Sequence, residues 1–397
     1  MTSKHRPQTQ KAFLLLILVL GSVTAIGPLT IDMYLPAFSA IAQSFAAPEN
    51  LVQLSLTTCF IGLALGQLFY GPIVDRFGKK LPLFVGLLIF VASSIACCFV
   101  SNIHQLIILR FFQAIGACAC LVIPRAIVRD IFTAQESARV FSHLMLVIGL
   151  APILAPMLGS FVLGFYSWKA IFVFLTAFGI LCLWLCHFTI PQTKGPNPAE
   201  KISGALKKYL EILQDRNFVV CAVSGGFMMA GLFSYITASP FAYLEFFGLS
   251  SKNYSLLFAI NSVGFVAMSQ INAQLLKKFS IKKLLGKFLL LPAFAGIALL
   301  FIGLNEPTFW PFTLVIFIFL ASIGAISPST TALALSHQLK HSGSASALLG
   351  TIQFTFATIA SLLICKLHDG SLTAMALVIS TCGILACLVY KIFLKKN

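Results

Sequence analysis

Charge is what this sequence has least of. Only 10% of its 397 residues are Asp, Glu, Lys or Arg, and the 11 acids are outnumbered by 27 Lys and Arg. With 59% hydrophobic residues and a mean hydropathy of +0.97, the chain is too apolar for a water-soluble globule, whose core is diluted by a polar surface. No phosphate-cradling G-x-x-x-x-G-K-[ST] segment occurs, which argues against ATP hydrolysis by the chain itself. The 11 Cys form no C-x-x-C pair and the 7 His show no metal-ligand spacing, so neither a metal nor another cofactor is expected. The cysteines fall in or beside apolar runs and read as small core residues in a reducing environment. The first apolar run, Ala12 to Ile31, is longer than the core of a secretory signal and lacks an Ala-x-Ala exit, so a retained helix is expected there.

What fills the chain instead is a series of long apolar runs. Twelve of them are each long enough to cross about 30 Å of hydrocarbon at about 1.5 Å per residue. They are expected near 12–36, 51–72, 81–100, 104–124, 138–163, 168–190, 218–238, 252–275, 284–304, 309–331, 343–365 and 371–394. Net charge is +16, which in a soluble protein would suggest nucleic acid. Here the distribution excludes that reading. With the N-terminus inside, 23 of the 27 basic residues lie in segments on the inner side. The opposite loops carry only Lys169, Lys252 and Lys366, and Arg110 lies within a run. This asymmetry places both termini on the cytoplasmic side of a bilayer.

The longest loop, 191–217, divides six runs from six, giving an expected half 1–190, a linker 191–217 and a second half 218–397. Part of the linker, Lys201 to Leu213, suits either an amphipathic helix on the inner leaflet or a plain solvated connector. A basic turn after the second run, Asp75-Arg-Phe-Gly-Lys-Lys, is echoed by Lys277-Lys-Phe-Ser-Ile-Lys-Lys after the eighth, as a parallel repeat requires.

Two residues stand out by cost. Asp32 is the one acid within a run and Arg110 the one base well within one, whereas an ionised group at the bilayer centre costs about 2.5–3.5 kcal/mol. Each is about five residues from the outer end of its run, which puts both about 8 Å deep and allows them to share a cavity. A static structural pair is the bland alternative. A carboxyl taken out of water holds its proton and a neighbouring guanidinium loosens it, so such a group can change protonation as water or substrate arrives. Tyr34, Phe112, Gln113, Phe233, Asn261 and Gln353 supply mid-run polar and aromatic groups suited to a substrate cavity, or equally to helix–helix contacts and core packing.

The segment Gly71-Pro-Ile-Val-Asp75-Arg76-Phe-Gly78-Lys79-Lys80 breaks the apolar pattern with Gly-Pro and a second Gly, predicting a short loop at the membrane surface. It resembles, at every fixed position, the loop signature of the major facilitator superfamily between its second and third helices. Thr30-Ile-Asp32-Met-Tyr34-Leu-Pro36 looks like the first helix of the Bcr/CflA branch of drug–proton antiporters. Leu109-Arg110-Phe-Phe-Gln113-Ala-Ile-Gly116-Ala is similar to that family's fourth-helix signature, with Ala114 in place of a Gly. Ala151-Pro152-Ile-Leu-Ala155-Pro156-Met-Leu-Gly159-Ser160 is similar to its antiporter motif, with Ala155 and Ser160 replacing Gly.

The resemblance implies an all-α fold of twelve helices in two pseudo-symmetric bundles, and proton-driven export of small lipophilic compounds from the bacterial cytoplasm by a monomer, with no enzymatic activity. It implies that Asp32 carries the proton and that Arg110 tunes it. Asp75 would meet the start of the eleventh helix at an inner gate, with Arg76 paired to an acid such as Asp130. Pro152, Ala155, Pro156 and Gly159 would face the second half and seal the outer side. An importer or exporter of a specific metabolite or siderophore is the nearest alternative, and a membrane sensor or enzyme a more distant one.

Overall fold

The computed structural model describes residues 10–131, 150–151, 153–190, 209–305, 307–336, 342–368 and 370–394. Among them there is no strand. The helices of the first part are α1 (Gln10–Asp32), α2 (Phe38–Phe45), α3 (Glu49–Phe77), α4 (Lys80–Cys98), α5 (Ile103–Ile131), α6 (Ile153–Phe165) and α7 (Lys169–Thr189). A short helix α8 covers 209–213. Then come α9 (Arg216–Pro240), α10 (Ser251–Leu275), α11 (Ile281–Phe288), α12 (Leu290–Leu304), α13 (Phe309–Leu335), α14 (Ser342–Leu367) and α15 (Thr373–Leu394). Eleven spans among the described residues are long and apolar enough to cross a membrane, and α6 is a shorter apolar helix in the place expected for the fifth.

These helices form two bundles. In the first, α5 packs on α3 and α4, α7 packs on α4, and α1 packs on α5 and α7. In the second, α9 packs on α13, α14 and α15, while α12 packs on α13 and α15 and α10 on α13. The two meet chiefly where α3 lies along α14. Basic side chains collect at one end. There the Lys80 Nζ donates to the His187 carbonyl at 2.9 Å, Tyr390 Oη donates to the Lys282 carbonyl at 3.0 Å, and Arg216 lies 6.0 Å over the Phe393 ring. This is termed the basic end below.

The turn expected at Gly71-Pro72 is not there. Helix α3 runs through Pro72 to Phe77, and the chain turns only at Gly78, whose φ of 79° suits a residue without Cβ. A proline inside a helix removes one backbone donor and leaves the carbonyl four residues earlier unpaired. That carbonyl belongs to Leu68, and the Tyr209 hydroxyl of α8 donates to it at 3.4 Å. The bond lost to Pro72 is thus replaced by a side chain about 140 residues away. In α8, Tyr209 and Ile212 are buried while Leu210 and Leu213 face outward. Residues 201–208 of the expected amphipathic segment lie outside the described residues. Tyr209→Phe should lower the unfolding free energy by about 1 kcal/mol, the usual worth of one hydrogen bond. Thermal unfolding of the two proteins in one detergent checks this.

The first span also differs from expectation. α1 ends at Asp32, a turn follows, residues Leu35–Ala37 form one turn of 3-10 helix around Pro36, and α2 continues to Phe45. Pro36 interrupts the hydrogen-bond ladder without ending the span, which extends from Leu14 to Phe45. Asp32 therefore lies 13 residues from the end of its span, or about 20 Å by helical rise, and not five. Arg110, seven residues into α5, is about 10 Å from its own end.

Candidate functional site

The helix break at Asp32 is a second place where the first bundle touches the second, besides the α3–α14 seam. The 3-10 turn Leu35–Ala37 packs against α9 and α10, and the Ser251 hydroxyl donates to the Pro36 carbonyl at 3.5 Å. On its other side Gly159 of α6 presses on the Met33 backbone so closely that any Cβ there would collide with the carbonyl. Ala155 and Pro156 are buried on the same face. The Pro156 carbonyl accepts a 3.0 Å bond from the Ser255 hydroxyl of α10, and the Ser160 hydroxyl donates to the Ser251 carbonyl at 2.9 Å and also meets that of Ser255. Small and helix-bending residues let α6 approach this closely. Pro152 lies outside the described residues.

Asp32 is 5% exposed, and its carboxyl makes no hydrogen bond or ion pair among the described residues. Its electrostatic neighbours lie across the bundle boundary, the hydroxyls of Tyr235 and Tyr254. Both are fixed: Asn261 Nδ2 donates to Tyr235 Oη at 2.9 Å, and Tyr254 Oη pairs with Ser239 Oγ at 2.9 Å. Phe258 packs on both rings.

Arg110 is fully buried and joins a separate cluster. Its Nη1 donates to Gln113 Oε1 at 2.6 Å, and Gln113 Nε2 donates to Ser94 Oγ at 2.7 Å. The guanidinium carbon lies 4.5 Å from the centre of the Tyr34 ring, and the Tyr34 hydroxyl pairs with Ser55 Oγ at 2.7 Å. No ion pair joins Asp32 to Arg110 among the described residues. Tyr34, two residues beyond Asp32 and past the break, covers the cation instead. Arg110 Nε and Nη2 are buried without a partner.

The other sequence-derived residues fall elsewhere. Phe233 is buried at the bundle boundary, its ring 4.4 Å from Phe60 and 5.6 Å from Phe354. Gln353 is half-buried beside Gly225 and makes no hydrogen bond among the described residues. Phe112 is exposed, one and two turns from Ile108 and His104, outside the Arg110 cluster. In the gate segment, Arg76 lies 5.2 Å over Phe77, Lys79 is buried, and Gly71 approaches Ala347 of α14. The side chains of Asp75 and Asp130 lie outside the described residues.

Sequence reasoning missed Tyr235 and Tyr254, and also a buried hydroxyl chain across the boundary, Thr57 to Ser361 to Thr237. A spacing signal existed. Tyr235 and Ser239 are one turn apart on α9, and Tyr254 and Asn261 two turns apart on α10.

An uncharacterised MFS-type transporter of Bacillus subtilis, YdgK, is 37% identical over 91% of this chain and 90% of its own length. A bicyclomycin resistance protein homolog of Haemophilus influenzae is 27% identical over 98% of both chains. A chloramphenicol resistance protein of Pseudomonas aeruginosa is 29% identical over 66% of this chain and 62% of its own. Among solved structures, the xylose transporter XylE of E. coli in a partially occluded inward open conformation superposes with a TM-score of 0.75 at 16% identity, over 96% of this chain and 97% of its own. A D-xylose–proton symporter gives 0.76 at 15%, over 96% and 98%. These two establish likeness of fold. The Major Facilitator Superfamily model matches residues 20–362, and with that match, the two bundles and the spans in place, the chain belongs to that superfamily of multi-pass membrane transporters.

Proposed function

We propose that this transporter exports small lipophilic toxic compounds, drugs among them, across the bacterial inner membrane in exchange for protons. The observation that carries the reading is Asp32, a buried acid that makes no hydrogen bond or ion pair among the described residues, at a helix break where the two halves touch. A carboxyl so placed exchanges a proton when the halves part and water reaches it. The resistance proteins among the relatives support the direction of transport and the substrate class.

On this reading the halves 1–190 and 218–397 rock about a central cavity, joined by the linker 191–217. The basic end faces the cytoplasm, because 23 basic residues lie on that side and three on the other. The seal of α6 on the Asp32–Ala37 break and on α10 then closes the periplasmic side. Asp32 carries the proton. Arg110, held by Gln113 and capped by Tyr34, sets the potential around it. Gln353, Phe233 and Phe112 offer amide and aromatic contacts to substrate, with Asn261 acting through Tyr235. Asp75, Arg76, Gly78, Lys79, Lys80 and Asp130 latch the cytoplasmic side beside Gly71 and α14. One chain suffices for this cycle.

A growth-inhibition panel in a pump-deficient host identifies substrates. Everted vesicles containing the protein should then release protons when an identified substrate is added. Substrate uptake into cells, or transport with no proton movement, overturns the reading.

A further inference from the structure

A groove of about 320 Å³ opens on the outer surface of the second bundle, between α10, α12 and α13. Gly264, Ala267 and Ile271 of α10 form one wall, Leu291 of α12 a second, and Phe317 and Ile318 of α13 a third. The one polar residue beside it, Ser322, has its hydroxyl bonded to the Phe319 carbonyl and offers the groove nothing. Depth and apolarity alone suit any hydrocarbon.

The end of the groove narrows the choice. Residues 251–304, which build α10 to α12, contain six Lys and no acid, and five of those lysines fall between 277 and 287. Lys278 follows Ile271 by seven residues, two turns along the same face. The turn persists past the end of α10, since the amides of Lys277, Lys278 and Phe279 donate to the carbonyls of Gln274 and Leu275. Lys287 precedes Leu291 by one turn. By helical rise the two ammonium-bearing residues lie about 10 Å and about 6 Å beyond the groove, towards the basic end. Both are exposed. Asp215, at the start of α9, has its carboxylate on the amides of Asn217 and Phe218. Counter-charge for Lys278 and Lys287 thus comes from outside the hairpin.

We propose that this groove is a binding site for one anionic phospholipid of the bilayer, with an acyl chain between α10, α12 and α13 and its headgroup phosphate on Lys278 and Lys287. A zwitterionic lipid offers the same chain but no net charge, so the lysines select the anionic class. Each Lys at an anionic membrane surface is worth about 1 kcal/mol, about fivefold in affinity.

The test is native mass spectrometry of the purified full-length protein, titrated with phosphatidylglycerol and separately with phosphatidylcholine. Wild type should retain phosphatidylglycerol preferentially. The double variant Lys278→Gln/Lys287→Gln should lose about thirtyfold of that affinity, the product of two such steps, and bind phosphatidylcholine as before. Ala267→Trp, which fills the groove at an exposed position, should weaken both lipids. Lys252→Gln, at the opposite end, should change neither. Equal phosphatidylglycerol affinity in wild type and the double variant overturns the headgroup assignment. Wild-type affinity in Ala267→Trp shows a lysine collar that adsorbs headgroups without a groove, and overturns the site.

Discussion

Asp32→Asn should leave a protein that inserts, folds and binds substrate, yet no longer accumulates it against a gradient. The amide has the shape of the carboxyl and no exchangeable acid proton. Among the described residues Asp32 makes no bond that the amide would forfeit, so stability should change little. One charge crossing 100 mV of membrane potential yields about 2.3 kcal/mol. That supports a substrate ratio of about fiftyfold across the membrane at one proton per cycle. In everted vesicles the variant should fall from such a ratio to about one, and substrate addition should release no protons. Binding affinity should stay within about threefold, because the amide keeps the size and shape of the carboxyl. Proton release at the wild-type level would show that the carrier lies elsewhere.

The second large effect separates function from stability. Arg110→Met should abolish transport and leave thermal stability near the wild-type value. Truncation of a buried residue is ordinarily destabilising. Here the guanidinium is fully buried, two of its nitrogens have no acceptor, and no carboxylate pairs with it among the described residues. An uncompensated buried charge costs several kcal/mol even after relaxation. Against this the variant loses the contact with the Tyr34 ring, worth about 1–2 kcal/mol, and leaves Gln113 Oε1 without its donor, about 1–3 kcal/mol. Met is flexible enough to occupy the vacated space. These losses sum to about 2–5 kcal/mol, close to the cost relieved, so the unfolding midpoint should stay near that of the wild type. On the proposed cycle, transport fails because the site loses the cation that would tune Asp32. A lower midpoint together with intact transport would show that Arg110 is a structural staple.

Element positions were largely legible, because a run of about twenty apolar residues has few alternatives to a spanning helix. The departures have physical causes that a local reading does not contain. Gly71-Pro72 has the composition of a turn, yet the helix continues, with the Tyr209 hydroxyl supplying the Leu68 carbonyl with the donor that Pro72 lacks. Pro36 suggested the end of a span, and the chain instead passes through a 3-10 turn and goes on to Phe45. Asp32 and Arg110 were visible because charge in hydrocarbon is expensive. Their mutual placement was not, since it depends on how the break turns Tyr34 onto the cation. The hydroxyls that frame both residues, Ser55, Ser94, Ser239 and Tyr254, are neutral and common in spanning helices. Nothing in their type singles them out until the helices are packed.

The bond between Tyr209 and Leu68 has a mechanical result. It fastens α8 to the first bundle, while Asp215, six residues later, caps α9 of the second. Six residues pulled straight reach about 20 Å. On the proposed cycle that segment is a short leash between the two rocking halves, and it would set a stop on how wide the basic end can swing.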